Sequence, residues 1–489
     1  MSDEFIFAIV VIVVAAVLIA GTFSSRLTGW LRIPAPALFL VVAAVVALFL
    51  PALGPAARAI DERIVSIALV LILFDGGMHI GWRRFRGSAG AIAWIGIAGT
   101  AITAAAVAAA AHFLLGFDWQ ISLLLGAALS PTDPAVVFSV LGRREISGRS
   151  GTILEGESGA NDPVGIALLV SLLSAGSAAG SPVLTGLMVF ATQMLVGAVV
   201  GVALGLALGW VMRHARLPTG SLTAVFVAAS AVLIYGIGTA LQGSGFLAVF
   251  VAGILIGDVK APFRREIDTF SGGLSSVAEI VVFVLLGLSV QLRDVFQPDI
   301  LSAGIAIAAL LIFIIRPVLV GVATLPIRLN RGERAFVLWA GLKGAVPILL
   351  GMFILTANID GAETMYAIIF IVVLISVLVQ GGLVPVFARL FRVPMRLSEP
   401  RPWTVDVRFA EEPEGLERHV VHAGSPADGQ TVGDLVDSEQ SWISVISRSG
   451  RNLPVRTLTR LRAGDVVLTQ VDPGHQIDEL FAAPEPRSK

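Results

Sequence analysis

The sequence contains no cysteine and few charged residues. Without cysteine, the chain can form no disulfide framework and has no thiol chemistry. Charged residues are 14% and hydrophobic residues 56% of its 489 residues, whereas soluble domains carry roughly 25% charged residues. Most of the chain is therefore expected to face lipid or other protein segments rather than water. The net charge of −1 points to no nucleic-acid partner, and we expect no cofactor.

The N-terminal apolar segment lacks the basic flank of a secretory signal peptide, since Asp3 and Glu4 stand there instead. We interpret it as a retained membrane span. Apolar segments of about 20 residues, the length that crosses a bilayer core, recur along the chain, and we count about thirteen. They lie near residues 5–22, 35–53, 62–80, 88–115, 119–141, 151–176, 184–212, 220–241, 244–258, 270–291, 299–325, 334–356 and 363–388.

Basic residues follow the odd-numbered spans and are scarce in the other loops. Arg26 and Arg32 follow the first span, for example, and Arg389, Arg392 and Arg396 follow the last. Positive charge stays on the cytoplasmic side of a membrane. We therefore expect a multi-pass protein of the cell membrane with its N-terminus outside and its C-terminus in the cytoplasm.

The composition changes after residue 397. The remaining chain contains short alternating runs, such as SWISVISRSG (441–450) and AGDVVLTQVD (463–472), with Asp and Gly at the turns between them. We predict two domains, a transmembrane domain over residues 1–397 and a cytoplasmic domain over residues 398–489. The predicted fold class is an all-α polytopic membrane protein with a small α+β domain attached.

Charged residues inside the predicted spans are few, and each costs about 2.5–3.5 kcal/mol at the bilayer centre, so they usually serve a function. They are Asp133, Glu157, Asp162, Glu279, Arg316 and Lys343. Because the set contains both acidic and basic residues, internal pairing can offset much of this cost. Glu279 is more readily explained as a structural or interfacial residue than as a ligand.

Two spans contain residues that interrupt a helix. SPTDPAVV (130–137) has two prolines, which lack backbone N–H groups, and GLKGAVP (341–347) has two glycines and a proline. Non-helical backbone at membrane depth occurs only where it is buried in protein or lines a cavity. One broken helix in each half of the chain is typical of the binding site of a transporter built from inverted repeats.

The stretch GESGANDPVGIAL (156–168) places several polar residues in an apolar span. On a helix, Ser158 and Asp162 share one face, and Glu157 and Asn161 share the next. Their oxygens, with carbonyls freed near Thr132, suit a hard monovalent cation. A buried carboxylate at Asp162 that holds either a cation or a proton would perform exchange, although a purely structural carboxylate is the alternative. Asp133 either binds the ion or caps a half-helix N-terminus, where a carboxylate is favoured.

At four motifs the chain resembles the monovalent cation:proton antiporters of the NhaP and sodium/proton-exchanger type. The motifs are SPTDP (130–134), ESGANDP (157–163), IIRPV (314–318) and GLKGAV (341–346), and the resemblance covers about residues 5–390. It implies a homodimer in which a core of two three-helix repeats moves against a dimerising domain. It also implies electroneutral exchange of K⁺ or Na⁺ for H⁺.

The resemblance further implies the roles of individual residues. Asn161 and Asp162 match the ion-binding centre of that family, and its further ligands match Glu157, Ser158 and the main chain at Thr132. A monovalent cation would lie at Asp162, Ser158 and Thr132. The family's buried arginine matches Arg316, which would pair with Glu157 and hold Asn161. The last motif usually contains arginine; Lys343 keeps the charge but loses the bidentate fork.

The C-terminal region resembles the C-terminal half of the RCK (TrkA-C) regulatory domain of potassium channels and transporters. The similar segments are HAGSPADGQTVGDL (422–435) and LRAGDVVL (461–468). This resemblance implies a small cytoplasmic ligand, and in the family such a domain often accompanies potassium/proton exchange.

Two other functions compete with antiport. A cation channel or uncoupled transporter would use the same polar residues without coupling. GESG (156–159) resembles the serine turn of an intramembrane protease, which needs a base for Ser158. The histidines lie near span ends or in the C-terminal region, which argues against that enzyme.

Overall fold

The protein forms two compact units, Met1–Glu399 and Pro400–Lys489. The computed structural model describes residues 12, 15, 19, 35–49, 53–141, 144–146, 149–176, 181–215, 218–327, 329–357, 359–397, 416–435, 441–448, 451–471 and 478–482. Apart from three positions, the predicted first span therefore lies outside the described residues.

The first unit is built of helices. Its helices of seven or more residues are α1 (Ala35–Phe49), α2 (Leu53–Arg86), α3 (Ala89–Leu115), α4 (Trp119–Ala128), α5 (Ala135–Leu141), α6 (Arg149–Gly176), α7 (Pro182–His214), α8 (Gly220–Ala240), α9 (Gly245–Ile256), α10 (Arg264–Ser289), α11 (Pro298–Ala323), α12 (Arg331–Trp339), α13 (Ala345–Thr356) and α14 (Ala362–Leu390). Within the described residues, 8 helices are long and apolar enough to cross a membrane. The predicted spans from residue 35 onward each coincide with a helix or with two half-helices.

Close backbone contact holds α7 against α9. Gly197, Gly201 and Gly205 recur every four residues on α7, and a Cβ at any of them would meet the chain around Ser244, Ala248 or Ala252 at 2.6–2.8 Å. Small residues at this spacing let two helices approach closely. The glycine repeat therefore serves packing within the subunit.

A kink in α2 accounts for the contact between this helix and Asp258, which lies just after α9. Gly81 has φ 66°, a left-handed conformation that favours glycine. The main-chain N–H of Arg83, freed by this kink, donates to Oδ2 of Asp258 at 2.6 Å. Asp258 is thus a structural carboxylate that stabilises the end of α2.

The same order of elements occurs twice. A long helix (α3), a broken helix (α4 and α5) and a long helix (α6) are matched by α11, by α12 with α13, and by α14. The long helices α3, α11 and α14 contain π-helical turns at Ile95–Gly99, Leu311–Val320 and Ser376–Gly381. Such turns widen the helix and often lie at functional sites.

A short antiparallel pair joins the region after α5 to the region after α14. Strand β1 (Arg144–Ile146) pairs with β2 (Met395–Leu397), with Arg144 opposite Leu397. The connection between α5 and α6 of the first group is thereby tied to the segment that follows the second group.

The second unit contains a four-stranded antiparallel sheet in the order β3-β6-β4-β5. Its strands are β3 (Leu416–Val420), β4 (Ser441–Arg448), β5 (Arg451–Leu453) and β6 (Val466–Val471), and its short helices are α15 (Val432–Leu435) and α16 (Asp478–Phe481). The predicted mixture of helix and strand is present in the described part of this unit.

An ion pair between a half-buried arginine and a buried carboxylate stabilises the second unit. Arg448 binds both carboxylate oxygens of Asp465, each at 2.8 Å. Burial by itself raises the pKa of Asp465, but the hydrogen bonds from Arg448 and from the N–H of Arg462 outweigh it and hold that pKa below its usual value. The pair therefore stays charged at neutral pH.

Candidate functional site

The two broken helices cross at their non-helical stretches. The first unwound stretch, residues 129–134, separates α4 from α5, and the second unwound stretch, residues 340–344, separates α12 from α13. The N–H of Asp133 donates to the carbonyl of Leu342 at 2.8 Å, so the stretches contact each other directly. Proline and glycine in these stretches explain why the helical hydrogen bonds stop here.

Asn161 of α6 holds the first unwound stretch. Its Nδ2 donates to Oγ1 of Thr132 at 2.7 Å, and its Oδ1 accepts the N–H of Thr132 at 3.3 Å. The amide thus satisfies a backbone donor that the broken helix leaves free. The resemblance implied that Arg316 holds Asn161; in the structure Thr132 makes these bonds.

Asp162 lies beside Asn161 and is only 5% exposed. Its Oδ1 accepts no hydrogen bond from any residue that the structure describes. Ser158, also buried, lies one turn earlier on the same face of α6. A buried carboxylate oxygen without a partner is costly, so a proton or a cation bound at this atom would be stabilising.

Glu157 and Arg316 form a buried ion pair. Nη2 of Arg316 lies 2.7 Å from Oε1 of Glu157. The guanidinium also donates to the carbonyls of Leu338 at 2.9 Å and Val337 at 3.3 Å, at the C-terminal end of α12. A positive charge is favoured at this end of a helix. Arg316 therefore neutralises Glu157 and caps one half-helix.

Lys343 makes the corresponding contact with the other half-helix. Its Nζ donates to the carbonyls of Ser130 and Pro131 at 3.0 and 2.9 Å, just beyond the C-terminal end of α4. An ammonium group with three donors can bind two carbonyls without the planar fork of arginine. This geometry accounts for lysine at the position where the resembling family usually has arginine.

Asp133 is half-buried in the crossing, and its side chain lies against Gly344, the residue that precedes α13. The position suits a carboxylate that faces the positive end of a half-helix. It places Asp133 in the crossing and leaves both predicted roles, capping and ion binding, open to test.

The charges at the crossing do not balance. Glu157 and Arg316 neutralise each other, and Lys343 offsets one of the two carboxylates Asp133 and Asp162. Among these five groups, one negative charge remains when both carboxylates are ionised. A single monovalent cation or a single proton would neutralise the cluster.

Sequence reasoning missed two polar residues at the crossing, Ser376 and Gln380 of α14. Both are buried and hydrogen-bond to the second unwound stretch or its flank. Their signal in the sequence was a serine and a glutamine four residues apart in an apolar span. Glu279, predicted to be structural, is half-buried on α10.

Gly341 packs closely against the side chain of Arg316, and a substitution can test this contact. A methyl group added there would overlap the guanidinium of Arg316. Gly341→Ala is expected to lower thermal stability, because overpacking typically costs about 1–3 kcal/mol. Gly273→Ala is the matched control, since the space beside Gly273 on α10 is open. Equal melting temperatures for the two variants would contradict the contact between Gly341 and Arg316.

Comparison with known proteins places the chain among cation antiporters. Residues 7–390 match the family model "Sodium/hydrogen exchanger, transmembrane". The chain is 32% identical to the K(+)/H(+) antiporter NhaP of Alkalimonas amylolytica, over 82% of this chain and 70% of that protein. It is 32% identical to the K(+)/H(+) antiporter NhaP2 of Shewanella baltica, over 86% of this chain and 74% of that protein.

Two further antiporters are similar to the chain at lower sequence identity. The Na(+)/H(+) antiporter NhaH of Halobacillus aidingensis is 27% identical, over 68% of this chain and 83% of that protein. The solved structure of the sodium proton antiporter MjNhaP1 from Methanocaldococcus jannaschii superposes with a TM-score of 0.68 at 22% identity, over 78% of this chain and 100% of that chain. At this identity the structural likeness shows a shared fold.

Proposed function

The chain belongs to the sodium/hydrogen exchanger family, and from this premise we propose how its site exchanges a monovalent cation for a proton. The family prediction made from the four sequence motifs is confirmed by the match over residues 7–390. The chain is accordingly a transporter and not an enzyme. The observation that carries the proposal is the buried Oδ1 of Asp162, which no described residue satisfies.

Asp162 binds either the cation or the proton, and this competition couples the two fluxes. The cation contacts Asp162, Ser158 and the oxygens near Thr132. Asn161 holds Thr132 in place for this contact, as its two hydrogen bonds support. Asp133 adds negative charge beside the site.

Charge neutrality explains why the site does not reorient from one side of the membrane to the other while it is empty. The cluster at the crossing carries one excess negative charge until a cation or a proton binds. Moving a net charge through a low-dielectric environment is costly. Reorientation therefore occurs with one ligand bound, and the exchange is electroneutral with one cation for one proton.

The other membrane assignments follow from the same family reasoning. We propose about thirteen spans, two inverted repeats formed by α3–α6 and α11–α14, and a homodimer in the cell membrane. The loop charges support an external N-terminus and a cytoplasmic C-terminus. The ion is K⁺ or Na⁺, since the relatives include antiporters named for each.

The two rival functions, channel and protease, each have a property that distinguishes them from antiport. A channel or uncoupled transporter would conduct the cation without moving protons. For the protease, Ser158 needs a histidine base, but Nδ1 of His79, His112 and His214 lies 2.8–2.9 Å from a main-chain carbonyl of its own helix or the following loop. These rings are engaged elsewhere, which argues against the protease.

The test of the function is proton flux in proteoliposomes. A pulse of K⁺ or of Na⁺ is expected to drive proton movement in the opposite direction, without a change in membrane potential and with a lower KM for one ion. Choline at equal ionic strength is the control. Cation flux without proton movement would indicate an uncoupled pathway and contradict the proposal.

The second unit regulates exchange, and its resemblance to an RCK C-terminal domain supports this role. A chain truncated after Ser398 is expected to insert and to exchange cations for protons. The dependence of its rate on cytoplasmic pH or on a small ligand should differ from that of the full chain. The expected shift is about 5- to 150-fold in the apparent affinity for the proton or the ligand. The measurement compares initial rates against cytoplasmic-side pH at equal reconstituted amounts. Complete loss of exchange by a folded truncated chain would instead make this unit part of the transport machinery.

A further inference from the structure

The second unwound stretch is held by two side chains to which the exchange reaction has so far assigned no role. Ser376 and Gln380 lie one turn apart on α14 and are 1% and 3% exposed. Oγ of Ser376 lies 2.9 Å from the main-chain nitrogen of Lys343 and 2.7 Å from Oε1 of Gln380. Nε2 of Gln380 donates to the carbonyl of Trp339 at 3.1 Å. The stretch is thus fixed at both ends.

The direction of these hydrogen bonds follows from the groups themselves. Oε1 of Gln380 can only accept, so the hydroxyl of Ser376 donates its proton to it. The same hydroxyl then accepts the N–H of Lys343 with a lone pair. Removing the hydroxyl would leave both a buried N–H and a buried amide oxygen without their partner, at the point where the helix is broken.

This arrangement acts on the ion site through Lys343. The main chain of Lys343 is fixed by Ser376, and its Nζ binds the carbonyls of Ser130 and Pro131. Those carbonyls immediately precede Thr132, which Asn161 holds. The bond from Ser376 therefore determines where the positive charge of Lys343 lies relative to the oxygens that face the cation.

The two repeats show a parallel here. In the first group, Asn161 of the third element holds the first unwound stretch, and its neighbour Asp162 carries the titratable carboxylate. In the second group, Ser376 of the third element holds the second unwound stretch, and its neighbour is the apolar Val377. The second group therefore has the hydrogen bond to its broken helix but no carboxylate at the neighbouring position.

A small cavity adjoins this network. It is bordered by Arg316, Gly341, Lys343, Ser376 and Gln380 and has room for about one water molecule. The second unwound stretch can relax into this space when one of its bonds is removed. A loosened stretch is thus expected to displace Lys343 without unfolding the helices around it.

We infer that Ser376 and Gln380 are positioning residues for cation exchange, because they fix Lys343 on the carbonyls of Ser130 and Pro131. This inference rests on the proposed function. Loss of the Ser376 hydroxyl weakens cation binding and leaves the rate at saturating cation nearly unchanged, since Asp162 and its partners remain. The expected rise in KM is about two- to tenfold, the effect of one or two lost hydrogen bonds.

The experiment compares Ser376→Ala, Ser376→Thr and Ser171→Ala with the unaltered chain in proteoliposomes. KM and the maximal rate are measured for K⁺ and Na⁺, with the amount of folded protein matched. Thr keeps the hydroxyl and should restore KM. Ser171 is a buried serine of α6 whose hydroxyl donates to the carbonyl of Ala167 in its own helix, so Ser171→Ala should leave KM unchanged.

Gln380→Met is a second variant that reaches the same network from its other end, and it should reproduce the rise in KM. An unchanged KM in Ser376→Ala would overturn the inference, as would a fall in maximal rate alone. Failure of Ser376→Thr to restore KM would also overturn it. Absence of cation-driven proton flux in the unaltered chain would instead refute the proposed function, so the two failures are distinguishable.

Discussion

Asp162→Asn is expected to abolish cation-driven proton flux while the protein still inserts and folds. Asparagine fills nearly the same volume, so packing is kept, but its amide neither carries a charge nor releases a proton at neutral pH. The buried Oδ1 that no described residue satisfies would become part of an uncharged side chain. Without a site for which cation and proton compete, the two fluxes lose their coupling.

The measurement is the initial rate of proton movement after a cation pulse, with the amount of monodisperse protein checked by size-exclusion chromatography. Asp299→Asn is the matched control, because Asp299 is exposed at the start of α11. This control should retain the full rate. Substantial exchange by folded Asp162→Asn would show that the carboxylate of Asp162 is not the shared site.

Arg316→Ala is expected to lower the free energy of unfolding by about 3–5 kcal/mol and to remove most of the exchange activity. The substitution leaves Glu157 as a buried carboxylate without its cation. It also removes the donor to the carbonyls of Val337 and Leu338 at the end of α12. The second unwound stretch begins directly after α12. The position of this stretch would therefore no longer be fixed.

Thermal unfolding of the detergent-solubilised protein measures this loss. Arg293→Ala is the control, since Arg293 is exposed and lies outside the crossing. The double variant Arg316→Met with Glu157→Gln should recover part of the lost stability, because no unpaired charge remains. If Arg316→Ala and Arg293→Ala unfold at the same temperature, the ion pair between Arg316 and Glu157 contributes nothing to stability.

The main features of the fold were predictable because apolar length and helix breakers leave clear patterns. Pro131 and Pro134 mark the first unwound stretch, and Gly341 and Gly344 mark the second. The membrane charges then had few possible partners, and the pairing of Glu157 with Arg316 agrees with the one that the family resemblance implied.

Main-chain partners were not predictable in the same way. The carbonyls of Ser130 and Pro131 that bind Lys343 have no sequence signature, because every residue carries a carbonyl. The π-helical turns of α3, α11 and α14 were likewise not predicted from the sequence. Ser376 and Gln380 were missed because their partners lie 33 and 41 residues away along the chain.

The most direct measurement of competition at Asp162 is the KM for the cation as a function of pH. Initial exchange rates are recorded over a range of cation concentrations at several pH values, with the same pH on both sides of the membrane before the pulse. In the acidic range, KM should rise by about tenfold for each unit that the pH falls, because one proton competes with one cation. At saturating cation concentration the maximal rate should be the same at each of these pH values, because excess cation displaces the proton. A KM that stays constant with pH, while only the maximal rate changes, would contradict a single carboxylate shared by the cation and the proton.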